Sequence, residues 1–137
     1  MQIKELSKNI VEFFEKLSSW EESVVRGTGL STTQAHTIEI VGHAGKIKMK
    51  DLAEKTGVTT GTLTVAVDRL EKKNLLKRVP HEKDRRSYLI VLTTEGNKYF
   101  NQHHNFHIKM TEELISCLTE KEQADFSEII KKINKSI

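Results

Sequence analysis

The sequence predicts a mainly α-helical fold carrying one small β-hairpin, and three observations point to it. Apolar residues recur at three- and four-residue spacing through most of the chain, two short β-rich runs follow Asn74, and basic charge gathers in the same middle region. At 137 residues, 36% hydrophobic and 30% charged, the chain can bury the core of a single domain. It has no room for separate binding and sensing modules, so any sensing is expected to share the binding fold.

Ile3, Leu6, Ile10, Phe13, Phe14, Leu17 and Trp20 mark one stripe of a long first helix that ends near Arg26-Gly27-Thr28-Gly29. Ser31-Thr32 supplies N-caps for a short, mostly buried second helix through His36, Ile38 and Ile40 to about Gly42. Met49 to Thr56 reads as a third helix stopped at Gly57, and Val58-Thr59 leads into a fourth from about Thr60 to Lys73. Between them Ala53 is small enough for the next helix to cross closely, Gly57 permits a left-handed turn, and Val58 seals the turn from beneath. The fourth helix buries Leu63, Ala66, Val67 and Leu70, which leaves Thr59, Thr60, Gly61, Thr62, Thr64 and Val65 on its exposed N-terminal half.

Leu75 to Val79 and Tyr88 to Leu92 are expected strands around a polar tip from His81 to Arg85, which makes one hairpin. Thr93 or Thr94 then caps a long fifth helix with apolar positions Phe100, Met110, Leu114 and Leu118. Thr119 and Glu122 form a capping box for a sixth helix, whose apolar face is Phe126, Ile129, Ile130 and Ile133. The short segments between cannot cover the stripes of the first and last helices, so an intertwined two-fold α-helical dimer is expected.

Net charge is only +3, but residues 46 to 90 hold 12 Lys/Arg against 6 Asp/Glu, whereas the remainder has 10 against 13. A basic middle suits a phosphate-facing surface. Threonine hydroxyls can bond phosphates or base edges, their methyls can pack on thymine, and a helix N-terminus favours a phosphate. In Lys83-Asp84-Arg85-Arg86, Asp84 can fix one arginine while an unpaired guanidinium enters a narrow minor groove. A basic hairpin directly after a helix-turn-helix is a wing, so the expected fold is a winged helix-turn-helix.

No glycine-rich phosphate motif, Ser-centred elbow or Cys/His signature appears, so neither an enzyme nor a cofactor is expected. Cys117 is alone and reads as a structural thiol. The N-terminus lacks the apolar core of a secretion signal, and no apolar run nears the roughly 18 residues that span a bilayer. A cytoplasmic protein without a membrane partner is expected. A winged-helix module that binds only protein is the alternative class, and the basic wing and polar start of the fourth helix disfavour it.

Asp68-Arg69-Leu70-Glu71-Lys72-Lys73-Asn74-Leu75-Leu76, then Asp84-Arg85-Arg86, then Leu92-Thr93-Thr94-Glu95-Gly96 resemble the MarR family signature, and the resemblance covers nearly the whole chain. It implies a transcriptional repressor that binds a pseudo-palindromic operator as a homodimer, with recognition helices in major grooves about 10 base pairs apart and wings in flanking minor grooves. One domain over 1–137 is implied, with dimerisation helices at about 1–26 and 95–137 around a winged helix-turn-helix at about 32–93. The implied contacts to double-stranded DNA are Thr59, Thr60, Gly61, Thr62, Thr64, Val65 and Arg69 from the helix, with Lys83, Asp84, Arg85 and Arg86 from the wing. Many members carry Arg where this chain has Val65, so less direct guanine reading and an AT-rich operator are expected.

Two effector chemistries stay open beside plain core roles for the same residues. Glu21-Glu22, Arg26-Gly27, His36 to Gly42, Gly61 to Thr64 and Phe106-His107 are similar to the fatty-acid-synthesis repressors of the family. That resemblance implies an apolar tunnel for an acyl or other small ligand, lined by Phe13, Leu17, Trp20, Ile40, Phe106 and Met110, with His36 and His107 orienting or gating. Alternatively, His103 and His107, spaced i,i+4, can converge on one metal that His36 and Glu21 or Glu22 complete, which resembles the zinc-responsive branch.

Overall fold

Capping chemistry sets most helix boundaries in the computed structural model, which describes residues 2–84 and 86–137. Arg85, one of the expected wing contacts, lies outside the described residues. After α1 (Ile3–Arg26), Ser31 Oγ accepts the Gln34 amide at 3.1 Å and Gln34 Oε1 accepts the Ser31 amide at 3.3 Å. This reciprocal box starts α2 (Thr32–Ala44), which runs two residues past the expected stop at Gly42 and closes on Gly45 at φ 79°.

The next element corrects the expected lone hairpin. β1 (Lys46–Lys48) pairs antiparallel with β3 (Tyr88–Leu92), placing Ile47 opposite Ile90, while β2 (Leu76–Pro80) pairs on the other side of β3. The result is a three-stranded antiparallel sheet in the order β1-β3-β2. Lys-Ile-Lys carries one apolar residue, too few to signal alternation, and its partner strand is distant in sequence.

α3 (Met49–Thr56) ends on Gly57 at φ 70°, the left-handed turn that the spacing requires. Thr59 Oγ1 accepts the Thr62 amide at 3.2 Å and so caps α4 (Thr60–Lys72). Ile38, Val41, Leu52, Leu63, Val67, Leu70, Leu76 and Ile90 converge from α2, α3, α4 and the sheet, each at most 1% exposed. Burial of each such side chain contributes roughly 1.5–3 kcal/mol.

Thr93, rather than Thr94, caps α5 (Thr94–Ile115): its Oγ1 accepts the Gly96 amide at 3.0 Å and donates to the Asn74 carbonyl at 2.6 Å. Gly96 lies so close to the Leu75 carbonyl that an added Cβ would collide with it. The family-like stretch Leu92 to Gly96 thus bolts the start of α5 to the end of α4. α5 stops at Ile115, so Leu118, expected on the fifth helix, falls in the connection, as does Cys117. Cys117 is exposed and its thiol donates to the Leu114 carbonyl.

The Thr119–Glu122 box forms as expected at 3.2 and 3.0 Å and starts α6 (Glu120–Ser136). The Thr119 amide holds the Glu122 carboxyl below its usual range by hydrogen-bonding the charged form. Packing divides the chain into two units, one up to His103 and one from His104 to Ile137. The first contains the sheet and the helix-turn-helix. Within it α1 buries only Val25 and leaves Ile3, Ile10 and Phe14 more than half exposed. In the second, α6 buries no residue. No described helix is long and apolar enough to cross a membrane.

Candidate nucleic-acid interface

α4 turns its apolar face to the core and leaves Thr60, Gly61, Thr62, Val65 and Arg69 exposed. Gly61, Val65 and Arg69 are spaced i, i+4 and i+8, which puts them on one line along the helix. Thr59 is exposed but committed to capping: its hydroxyl accepts the Thr62 amide and donates to Thr62 Oγ1 at 3.0 Å. Thr64 is half-buried and donates to the Thr60 carbonyl at 2.8 Å, so its hydrogen is turned back on its own helix. Val65, 49% exposed, offers only methyl groups at the centre of this face.

Sequence patterning missed the clamp that holds the helix against the sheet. Arg78 on β2 reaches Asp68 Oδ1 at 2.7 Å and Glu71 Oε1 at 2.5 Å, and its backbone amide donates to Glu71 Oε2 at 3.3 Å. The hydrogen bond to Asp68 is the largest cause of a guanidinium pKa raised above its ordinary value, with the charge of Glu71 adding to it. Both carboxylates sit inside the family-like Asp68 to Leu76 stretch, but their partner lies on the next strand, where no helical spacing reveals it.

At the wing tip, Asp84 Oδ1 accepts the Arg86 backbone amide at 3.0 Å, and the Ser87 amide donates to the Asp84 carbonyl at 3.2 Å. Asp84 therefore orders the turn through the backbone. Lys83, Asp84 and Arg86 are exposed, and among the described residues no ion pair engages Lys83 or Arg86. A helix presenting hydroxyls and methyls beside a turn with free cations is chemically suited to base edges and phosphates.

The effector candidates divide between the two units. In the first, Phe13 is exposed and Leu17 and Trp20 are half-buried on α1, while His36 is exposed and Ile40 half-buried on α2. His103 is 2% exposed, its Nε2 lies 2.8 Å from Glu21 Oε1 and 3.9 Å from Glu39 Oε1, and its ring stacks on Tyr99. Burial pushes the Tyr99 phenol pKa up. Glu39, which the sequence did not single out, also reaches His43 Nε2 at 3.3 Å. Its Oε1 is buried without a hydrogen-bond partner among the described residues. In the second unit Phe106 is exposed and His107 and Met110 half-buried on α5.

A helix-turn-helix followed by a basic two-strand turn, closed by a third strand, defines a winged helix-turn-helix protein. The MarR family model matches residues 30–88. The regulator MhqR of Bacillus subtilis (strain 168) is 30% identical over 105 residues, covering 77% of this chain and 72% of MhqR. YcgE of the same organism, described as an uncharacterized HTH-type transcriptional regulator, is 34% identical over 99 residues, covering 69% of this chain and 64% of YcgE. The matched stretch thus spans less than two thirds of that relative. The crystal structure of Streptococcus pneumoniae FabT in complex with DNA aligns with a TM-score of 0.88 at 27% identity, over 98% of this chain and 96% of FabT. The chain belongs to the MarR family, whose members are transcription regulators and not enzymes.

Proposed function

We propose that the chain is a sequence-specific DNA-binding repressor acting as a homodimer on a pseudo-palindromic operator in the bacterial cytoplasm. The observation that carries this reading is the exposed face of α4, from Thr60 to Arg69, clamped through Arg78 to a wing whose tip presents Lys83 and Arg86. Arg85, outside the described residues, belongs to the same basic tip in sequence. The unburied apolar faces of α1 and α6 support the homodimer, because solvated isoleucines at that density need a partner surface. With Val65 at the centre of the reading face, thymine methyls and minor-groove shape replace guanine reading. Selection from a random duplex library tests this: an AT-rich inverted repeat is expected, and a GC-rich consensus overturns the mode of reading.

For the effector, the local similarity to fatty-acid-synthesis repressors supports a small apolar or acyl ligand, with Phe13, Leu17, Trp20, Ile40, Phe106 and Met110 as lining and His36 and His107 as polar groups. One observation favours a second reading, control by zinc. The contact of His103 Nε2 with Glu21 Oε1 at 2.8 Å sets an imidazole nitrogen beside a carboxylate oxygen, donors of the kind a divalent cation takes. In that reading His103 and Glu21 supply ligands, with His107 one turn along α5, while His36 stays exposed. Native mass spectrometry of the protein purified from cells separates them: an acyl mass supports the first and a zinc mass the second.

A further inference from the structure

We propose that the groove between the first turn of α2 and the last turns of α4 is a further DNA contact besides the α4 face and the wing, a seat for the phosphodiester backbone beside the base-reading face. The proposal rests on the reading of α4 as the DNA-facing helix. One wall carries Arg69 and Lys72 on α4 and Lys73 at its C-cap, and the other carries Ser31, Thr33 and Gln34. Two clefts of about 440 and 300 Å³ share Ser31, Gln34 and Arg69, so the groove continues directly onto Thr62 and Val65.

Charge decides what this groove accepts. No carboxylate lines either cleft, and Lys73 Nζ spends one donor on the neutral Gly29 carbonyl at 2.9 Å. Among the described residues no ion pair engages Arg69, Lys72 or Lys73, whereas nearby Arg78 is answered by two carboxylates. Three cations within one helical turn, left without internal counter-charge, repel one another unless an external anion stands among them. Because the groove opens at one end onto Thr62 and Val65, a linear polyanion whose bases lie against that face would run its backbone over Ser31 and Thr33. Ser31 and Thr33 add hydroxyl donors, and such contacts fix register without reading sequence.

Two full-chain variants test the assignment against fluorescent random-sequence duplex and against the duplex that the wild type selects from a library. Lys72→Gln is expected to weaken both roughly tenfold, or about 1.4 kcal/mol, and to make the slope of log affinity on log salt shallower by about one per lysine in contact. Thr33→Glu puts a carboxylate in the groove yet favours the start of α2 electrostatically. It should keep or raise the melting temperature while lowering affinity for both duplexes, which a folding defect would not do. Unchanged affinity and slope in both variants, with a wild type that binds, overturn the groove alone. Loss confined to the selected duplex overturns it too, and a wild type that binds no duplex overturns the reading of α4 together with it.

Discussion

The helix-turn-helix with its sheet and the flanking helices solve the burial problem in opposite ways. α2, α3, α4 and the strands close their apolar side chains on one another, and the Asp68–Arg78–Glu71 cluster ties helix to strand. α1 and α6 leave phenylalanine and isoleucine in solvent, with α6 burying none of its residues. A region that reads DNA must hold its shape before the ligand arrives, whereas in the proposed homodimer the flanking helices keep their apolar area for a second copy.

Substitutions can break this contrast, beginning with the largest effect. Leu63→Ala in the closed region is expected to cost about 2–5 kcal/mol of unfolding free energy through the cavity it leaves, read from denaturant melts at fixed protein concentration. Ile133→Glu should leave helix content unchanged but weaken self-association by about 2 kcal/mol or more, visible by sedimentation as a shift toward the single-chain mass. An unchanged mass distribution would remove the distinction between the two regions. Arg86→Ala is expected to lower affinity for duplex DNA by about 1–3 kcal/mol, measured by fluorescence anisotropy, with self-association untouched. Thr119→Ala has the smallest effect, about 1 kcal/mol from the lost cap, read as a lower melting temperature.

What could be read from the chain was local. The Thr119–Glu122 box, the left-handed Gly57 and the four-residue spacing along α4 depend on neighbours within one turn, so the residues declare them. The Ser31–Gln34 box is equally local and was available from the same Ser-x-x-Gln signal. β1 was hidden because three residues show no period and the strand it joins is remote. The Arg78 clamp and the approach of Glu39 to His103 each join side chains from different elements, and no spacing rule foretells them. Asp84 was expected to fix an arginine side chain, and among the described residues it accepts the backbone amide of Arg86, a choice that side-chain chemistry alone does not specify.

The measurement that bears most directly on the central claim is a salt titration of the intact protein on duplex DNA. If α4 and the wing face phosphates, log affinity falls linearly and steeply with log salt as condensed counterions are released. Binding that ignores salt, or no binding at low salt, would contradict a DNA-reading role for this winged helix.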